Sequence, residues 1–244
     1  MAKVIGVIPA RYSSSRFPGK VLAPIKGKPM IQRVWERVRQ CRRIEDILVA
    51  CDHPEVMEAV KAFGGRAVMT SDSHPSGTDR IAEAVKNEAV EIIINIQGDE
   101  PLIVPEVIDE LAGALLDNAE YPMASMMTTI HDEETWQNPN AVKVVVNQRG
   151  EAMYFSRAPI PYRRDGKDAR EVKIFKHIGL YAYRKDFLMK FAQLPDSLLE
   201  QTEKLEQLRV LQAGFSIKMI ETDYDSVGVD APVDIAKVEA KIRE

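Results

Sequence analysis

Cysteine is scarce in this chain. Two residues among 244, Cys41 and Cys51, cannot build a disulfide framework or a four-sulfur zinc site, and such sparse usage suits a reducing compartment. A basic excess is also missing: 33 Lys and Arg face 37 Asp and Glu, a formal net charge of −4, which lacks the electrostatic footprint of a nucleic-acid binder. No apolar run approaches the roughly 18 residues of a membrane-spanning helix. The apolar stretch in MAKVIGVIPAR is too short for a signal core and runs at once into Arg11. None of the four histidines shows metal-ligand spacing with a cysteine or another histidine. With 45% hydrophobic and 29% charged residues, the chain has what a full core needs and is not disordered. A soluble, cytoplasmic, compact protein is expected, binding neither nucleic acid nor membrane.

Organisation is clearest before residue 100. Lys3–Ile8 is a short continuous apolar run, as in a strand buried on both faces of a parallel sheet. Met30, Ile31, Val34, Trp35, Val38 and Cys41 fall on one side of a helix, with Arg and Glu between them. Ile47–Cys51, Ala67–Met69 and Ile92–Ile96 read as strands, and the stretches opened by Pro54 and Gly77 as helices between them. Three strand–helix repeats predict a parallel sheet with helices on both faces and ligands beyond the carboxyl ends of its strands. Met123–Ile130, Ala141–Asn147, Ile178–Tyr183 and Phe215–Ile220 add strands in a less regular order. Glu151–Lys173 is polar, contains proline and is long enough for a lid or insertion. Leu198–Ala213 has the spacing of one helix closed by Gly214, and Ala231–Ile242 that of a last one.

Three segments that follow strand ends carry candidate chemistry. Pro9–Lys20 sets two Arg, one Lys, three Ser and a Gly in a loop leaving a buried strand. Backbone N–H groups, hydroxyls and fixed cations are what a polyphosphate requires. Neither Gly-x4-Gly-Lys-Ser/Thr nor Gly-x-Gly-x-x-Gly is present, and a solvated basic loop is the plain alternative. Gln97-Gly98-Asp99-Glu100-Pro101 follows Ile92–Ile96. There Asp99 either holds a divalent cation bridging phosphates or caps a helix before Pro105, and Gly98 lets the backbone turn sharply. Asp230, ahead of Ala231-Pro232, reads by itself as a helix N-cap. Together with Asp99 beside a basic, serine-rich loop it makes a phosphate-plus-magnesium site plausible. Ser76-Gly77-Thr78 opens a helix whose first N–H groups either read a base edge or are merely capped. His177 is a structural histidine or, next to Lys176, a receiver for an acidic ligand. Cys41 and Cys51 read as inert.

In chain order, IPARYSSSRFPGKVL, SGTDRI, NIQGDEPLI, NPNAVKVV, YFSRAPIP, KHIGLYAYR, LEQLRVL and VGVDAPVD resemble the CMP-Kdo synthetases, the 3-deoxy-manno-octulosonate cytidylyltransferases, over essentially the whole chain. The resemblance implies an α/β fold of the nucleotide-diphospho-sugar transferase, Rossmann-like type: a mostly parallel sheet with flanking helices and a smaller α+β insertion forming the sugar pocket and a dimer contact. It implies one domain, with a core at about 1–130 and 215–244 and the smaller part at about 131–214, and a homodimer. The implied reaction is CTP + Kdo → CMP-Kdo + pyrophosphate with Mg²⁺, for lipopolysaccharide biosynthesis. Arg11, Lys20, Asp99 and Asp230 would be catalytic, the first two on the triphosphate and the aspartates on magnesium. Pro9, Ala10, Ser13, Ser14, Ser76, Gly77, Thr78 and Arg80 would join Arg11 and Lys20 around the nucleotide. Gln97, Arg157, His177, Tyr181, Glu206 and Gln207 would form the sugar-acid pocket, with Arg157 the bidentate partner of its carboxylate. Such a transfer needs no covalent enzyme intermediate, which agrees with the lack of a recognisable nucleophile. An 8-amino-3,8-dideoxy-octulosonate or sialic-type acceptor is the alternative within the same chemistry. A non-catalytic nucleotide-binding protein is the alternative outside it, against which the paired aspartates argue.

Overall fold

The computed structural model describes residues 3–13, 17–74, 76–164 and 173–242. Ser14 of the first loop, and 165–172 of the expected lid, lie outside them. β1 (Val4–Ala10) leads through a 3₁₀ turn (Lys20–Leu22) and a small hairpin, β2 (Pro24–Ile25) and β3 (Lys28–Pro29), into α1 (Met30–Val38). Alternation continues through β4 (Asp46–Cys51), α2 (Pro54–Ala62), β5 (Arg66–Met69), α3 (Gly77–Val85) and β6 (Ile92–Asn95). Then come α4 (Pro105–Asp117), β7 (Met123–Thr129), α5 (Glu133–Gln137), β8 (Lys143–Val146), β9 (Ala152–Ser156) and β10 (Phe175–Arg184). The chain closes with α6 (Lys185–Phe191), α7 (Leu198–Glu203), α8 (Gln207–Gln212), β11 (Ile217–Glu221) and α9 (Pro232–Lys241). None of these helices is long and apolar enough to cross a membrane.

A nine-stranded sheet runs β11-β7-β10-β6-β1-β4-β5, with β8 paired to β10 and β9 to β8. Along that path every strand but β10 points the same way, because β10 alone pairs antiparallel with its neighbours β6 and β7. This is the expected mostly parallel sheet, and its central strands β1, β4 and β6 are largely apolar because both faces are covered. Val4, Ile8 and Ala10 of β1 pack on one side with Val34, Val56, Ile108 and Leu111. Ile5 and Val7 pack on the other with Ile81, Val85, Leu188 and Leu208. The stretch at about 131–214 gives β10 to the middle of this sheet, so it shares the main core.

Glu151–Lys173 begins with β9, which forms a hairpin with the preceding β8. One expectation is corrected. Leu198–Ala213 is two helices, not one. Ser197 and Glu200 form a reciprocal cap that starts α7, and Lys204, at φ +55°, turns the chain out of it before α8 resumes. The apolar spacing survives the break, while the break itself sets Glu206 and Gln207 at the entrance to α8.

Candidate active site

The carboxyl ends of β1, β4, β5 and β6 carry the loops at 11–20, 52–53, 70–76 and 96–101, the location at which open α/β sheets bind ligands. Pro9 is the meeting point. A Cβ placed on Gly98 would lie 2.9 Å from the Pro9 carbonyl oxygen, and one on Gly77 3.7 Å from Pro9 Cγ. Gly98 lies in the turn expected of it, closed by Glu100 N–H donating to the Gln97 carbonyl at 3.3 Å, and its lack of a Cβ also permits close approach to β1. Pro9 and Ala10 end β1, and the loop that follows is closed at its base by Gly19, at φ +68°, donating its N–H to the Tyr12 carbonyl at 2.9 Å. Arg11 donates to the carbonyl of His74 at 3.1 Å, and Ser13 is exposed.

Lys20 and Asp99 meet at 2.6 Å through Nζ and Oδ2, with side chains 15% and 33% exposed. Asp99 does not cap α4, whose N-cap is Val104, so that alternative is removed. Asp230 does not cap α9 either. Ala231 occupies the N-cap, and Asp234 accepts from the N–H groups of Asp230 and Ala231 at 3.2 and 3.0 Å. The Asp99 carbonyl accepts from Val229 N–H at 2.9 Å, which brings the residue next to Asp230 onto the backbone of Asp99. A third apolar cluster, in which Ile25, Met30, Val229 and Val238 are buried, holds that crossing in place. The Val229 contact brings the segments of Asp99 and Asp230 together, and both side chains carry only oxygen ligands, the donor type Mg²⁺ takes when substrate phosphates and water complete its shell. Among the described residues no cluster of three or more Asp, Glu, His or Cys could hold a metal by protein ligands alone.

α3 shows which of its expected nucleotide residues are structural. Ser76 caps it, accepting from Asp79 N–H at 3.1 Å and donating to Asp79 Oδ2 at 2.7 Å. Thr78 is buried and donates to Glu206 Oε2 at 2.7 Å, joining the nucleotide segment to the sugar segment. Arg80 is a correction: at 0% exposure it cannot touch a nucleotide, and its guanidinium is bound to Asp52 at 2.9 Å and Thr70 at 2.6 Å.

A cleft of about 510 Å³ runs along the start of β10, and His177, Tyr181 and Gln207 line it with Asn138, Lys176 and Ser226. It exists because β10 bulges: Ile178 faces Met126 but Tyr181 already faces Ser125, leaving Gly179 and Leu180 extra. Gln97 donates to the Gly179 carbonyl at 2.8 Å and so ties β6 to the bulge. His177 reaches the cleft by one edge but its ring is enclosed, and burial pushes the imidazole down to about 3. The lowered value favours the neutral ring, which is hydrogen-bonded between Nε2 and Ser125 Oγ at 2.9 Å. Burial raises the Glu206 carboxyl and the Tyr181 hydroxyl, and the buried Oε1 of Glu206 has no partner. Arg157 is the second correction. It does not line the cleft, and its guanidinium donates to the carbonyls of Glu203 at 2.7 Å, Pro139 at 3.0 Å and Lys204 at 3.4 Å. It frames the wall, helped by buried Lys143, which donates to the carbonyls of Asn138 and Arg157.

Sequence reasoning gave no role to Asp52 or Glu100, and named Lys176 only as the neighbour of His177. Asp52 directly follows a buried strand, the same signal that singled out Asp99. Glu100 is buried, and desolvation with the nearby Asp99 charge raises its carboxyl to about 7. Lys176 lines the cleft and pairs with Asp225. Burial raises both cysteine thiols, Cys41 to about 12, so neither supplies a nucleophile.

Residues 5–220 match a family model described as cytidylyltransferase. A 3-deoxy-manno-octulosonate cytidylyltransferase of Geotalea daltonii is 48% identical over 250 residues, covering 99% of both chains. One from Escherichia coli is also 48% identical, covering 98% of this chain and 96% of its own. A solved structure of CMP:2-keto-3-deoxy-manno-octonic acid synthetase complexed with CTP superposes with a TM-score of 0.93 at 47% identity, covering 98% of each chain. A Leptospira borgpetersenii cytidylyltransferase, 16% identical with a TM-score of 0.64 and covering 98% of this chain and 86% of its own, shares the fold. With its sheet, its loops at the strand ends and its full-length likeness to these enzymes, the chain belongs to the 3-deoxy-manno-octulosonate cytidylyltransferase family.

Proposed function

We infer that this chain transfers the cytidylyl group of CTP to 3-deoxy-manno-octulosonate (Kdo), forming CMP-Kdo and pyrophosphate. The observation that carries the reading is the convergence of 9–20, 76–78 and 97–99 on Pro9, beside a polar cleft large enough for a sugar acid. Arg11 and Lys20 supply fixed positive charge to the triphosphate in a partly enclosed site, where such charge acts strongly. The acceptor hydroxyl attacks the α-phosphorus in line as pyrophosphate leaves, so the residues position and neutralise without forming a bond to substrate. Asp99 and Asp230 are the residues that would hold Mg²⁺, which neutralises phosphate charge and lowers the pKa of the attacking hydroxyl. Among the described residues Lys20 makes one ion pair, with Asp99, and a phosphate oxygen would take the place of that carboxylate.

On the acceptor side, His177, Tyr181 and Gln207 offer hydrogen bonds to sugar hydroxyls. Lys176 presents the cation of the cleft wall to an anionic acceptor. The reading includes a homodimer, for which exposed Met153 and Tyr162 in the 131–214 part are the supporting apolar surface; sedimentation velocity tests it. CMP-Kdo would then feed lipopolysaccharide assembly. Pyrophosphate release from CTP and Mg²⁺ only when Kdo is added is the expected outcome. Preference for an 8-amino or sialic-type acid would reassign the acceptor, and CTP binding without release would make the chain a binder.

A further inference from the structure

Arg80, fully buried, and Asp52, whose side chain is 9% exposed, form an ion pair between α3 and the end of β4. Arg80 donates to Asp52 Oδ2 at 2.9 Å and to Thr70 Oγ1 at 2.6 Å, and Thr70 in turn donates to the Cys51 carbonyl at 3.0 Å. The other Asp52 oxygen, Oδ1, accepts the N–H of Tyr12 at 2.9 Å. The Tyr12 ring stacks on His53 at 4.0 Å and 17°, and the Tyr12 carbonyl receives Gly19 N–H, one residue before Lys20. One carboxylate therefore ties α3, whose first turn is Ser76–Thr78, to the base of the loop that carries Arg11 and Lys20.

Stability alone is a poor reason for such a pair. Well-packed apolar side chains replace buried ion pairs without loss in many proteins, and here Arg80 Nε is buried with no partner at all. A fixed distance is the better reason, because a rigid guanidinium holding two oxygens sets a spacing that a lysine or an apolar residue cannot. We propose that Asp52 and Arg80 are positioning residues for CTP: they fix the gap between the triphosphate loop and the nucleoside-facing end of α3. This rests on the cytidylyltransferase reading, and it assigns neither residue a contact with substrate.

The test compares Asp52→Asn, Arg80→Lys, Arg80→Met and the double variant Asp52→Asn/Arg80→Met with wild type, measuring kcat, both KM values, the calorimetric Kd for CTP and the thermal midpoint. A loosened loop is expected to raise the CTP KM about 10-fold or more and to lower kcat, while the Kdo KM stays within about twofold. Because both residues serve one link, the double variant is expected to be no worse than its worse parent. Folded variants that keep the CTP KM within about twofold, that raise both KM values alike, or whose losses add in the double variant would overturn the proposal. If Arg80→Met does not fold, Arg80→Lys and Asp52→Asn decide the matter. Failure of the functional reading looks different: wild type itself would bind CTP and make no CMP-Kdo, and the calorimetric Kd values would then judge the pair.

Discussion

Replacing Gly98 by alanine perturbs the site without removing any functional group. The added Cβ would sit 2.9 Å from the Pro9 carbonyl oxygen, 3.5 Å from Ile8 Cγ2 and 3.6 Å from Ile31 Cδ1. The last two are ordinary contacts, but the first is too short by about 0.5 Å and its partner is backbone, which cannot swing aside. The 97–101 segment must therefore move away from β1, carrying Asp99 from Lys20, to which it is held at 2.6 Å. Reacting groups tolerate about 0.5 Å, and a 1 Å error costs about 100-fold, so the variant is expected to lose about 10-fold in kcat. Overpacking costs about 1–3 kcal/mol, offset by about 0.4–1 kcal/mol because alanine restricts the unfolded chain. Net destabilisation of about 1–2 kcal/mol corresponds to a thermal midpoint lower by a few degrees in a protein of this size. Pyrophosphate release at saturating CTP and Kdo, together with urea unfolding, reads both quantities. Wild-type kcat and an unshifted midpoint would refute the close-approach argument, since the carbonyl clash leaves no third possibility.

Asp99→Asn removes the charge that faces Lys20 while keeping the shape; turnover is expected to fall about 100- to 1,000-fold, with stability within about 1 kcal/mol, and near-normal activity would contradict the metal role. Arg157→Ala releases three carbonyls behind the cleft wall and is expected to raise the KM for Kdo more than that for CTP; a rise for CTP alone would remove Arg157 from the sugar side. Glu100 gives a pH signature. Its folded carboxyl titrates at about 7 because of burial, against 4.5 unfolded, so the folded state holds the extra proton between those values. Its share of stability is complete below about pH 4.5 and is lost as pH rises through about 7, on the order of 3 kcal/mol. Glu100→Gln is expected to flatten that part of the pH dependence in urea unfolding of the nucleotide-free protein, and parallel wild-type and variant curves would rule out a protonated Glu100. Gly179→Ala meets no atom within 4 Å, so it is expected to fold normally while narrowing the cleft, which a raised KM for Kdo at an unchanged thermal midpoint would report.

The strands before residue 100 were legible because burial on both faces leaves a largely apolar signature, as in Ile92–Ile96 with Asn95 its one polar residue, and the site loops because ligand-binding loops follow strand ends. Asp99 and Lys20 were singled out because charged residues stood in loops that follow strand ends, and the structure brings the two into contact. What stayed hidden was direction. Arg80 stands in the same SGTDRI run as Ser76 and Thr78, and nothing in its letter says that its face of α3 turns inward onto Asp52 and not outward to a phosphate. Arg157 looked like an anion receptor, yet its three acceptors are backbone carbonyls, which belong to every residue and mark none. The break at Lys204 was masked by Leu205, Leu208 and Leu211, whose apolar spacing suits either one helix or two, while the cap at Ser197 and Glu200 that starts a short helix is a weak signal inside a long pattern. Residue type set the chemistry of the site, and the unlettered main chain decided which charges were spent as scaffold. An arginine in a loop after a strand is therefore a candidate for binding only after its local carbonyls and carboxylates have been counted.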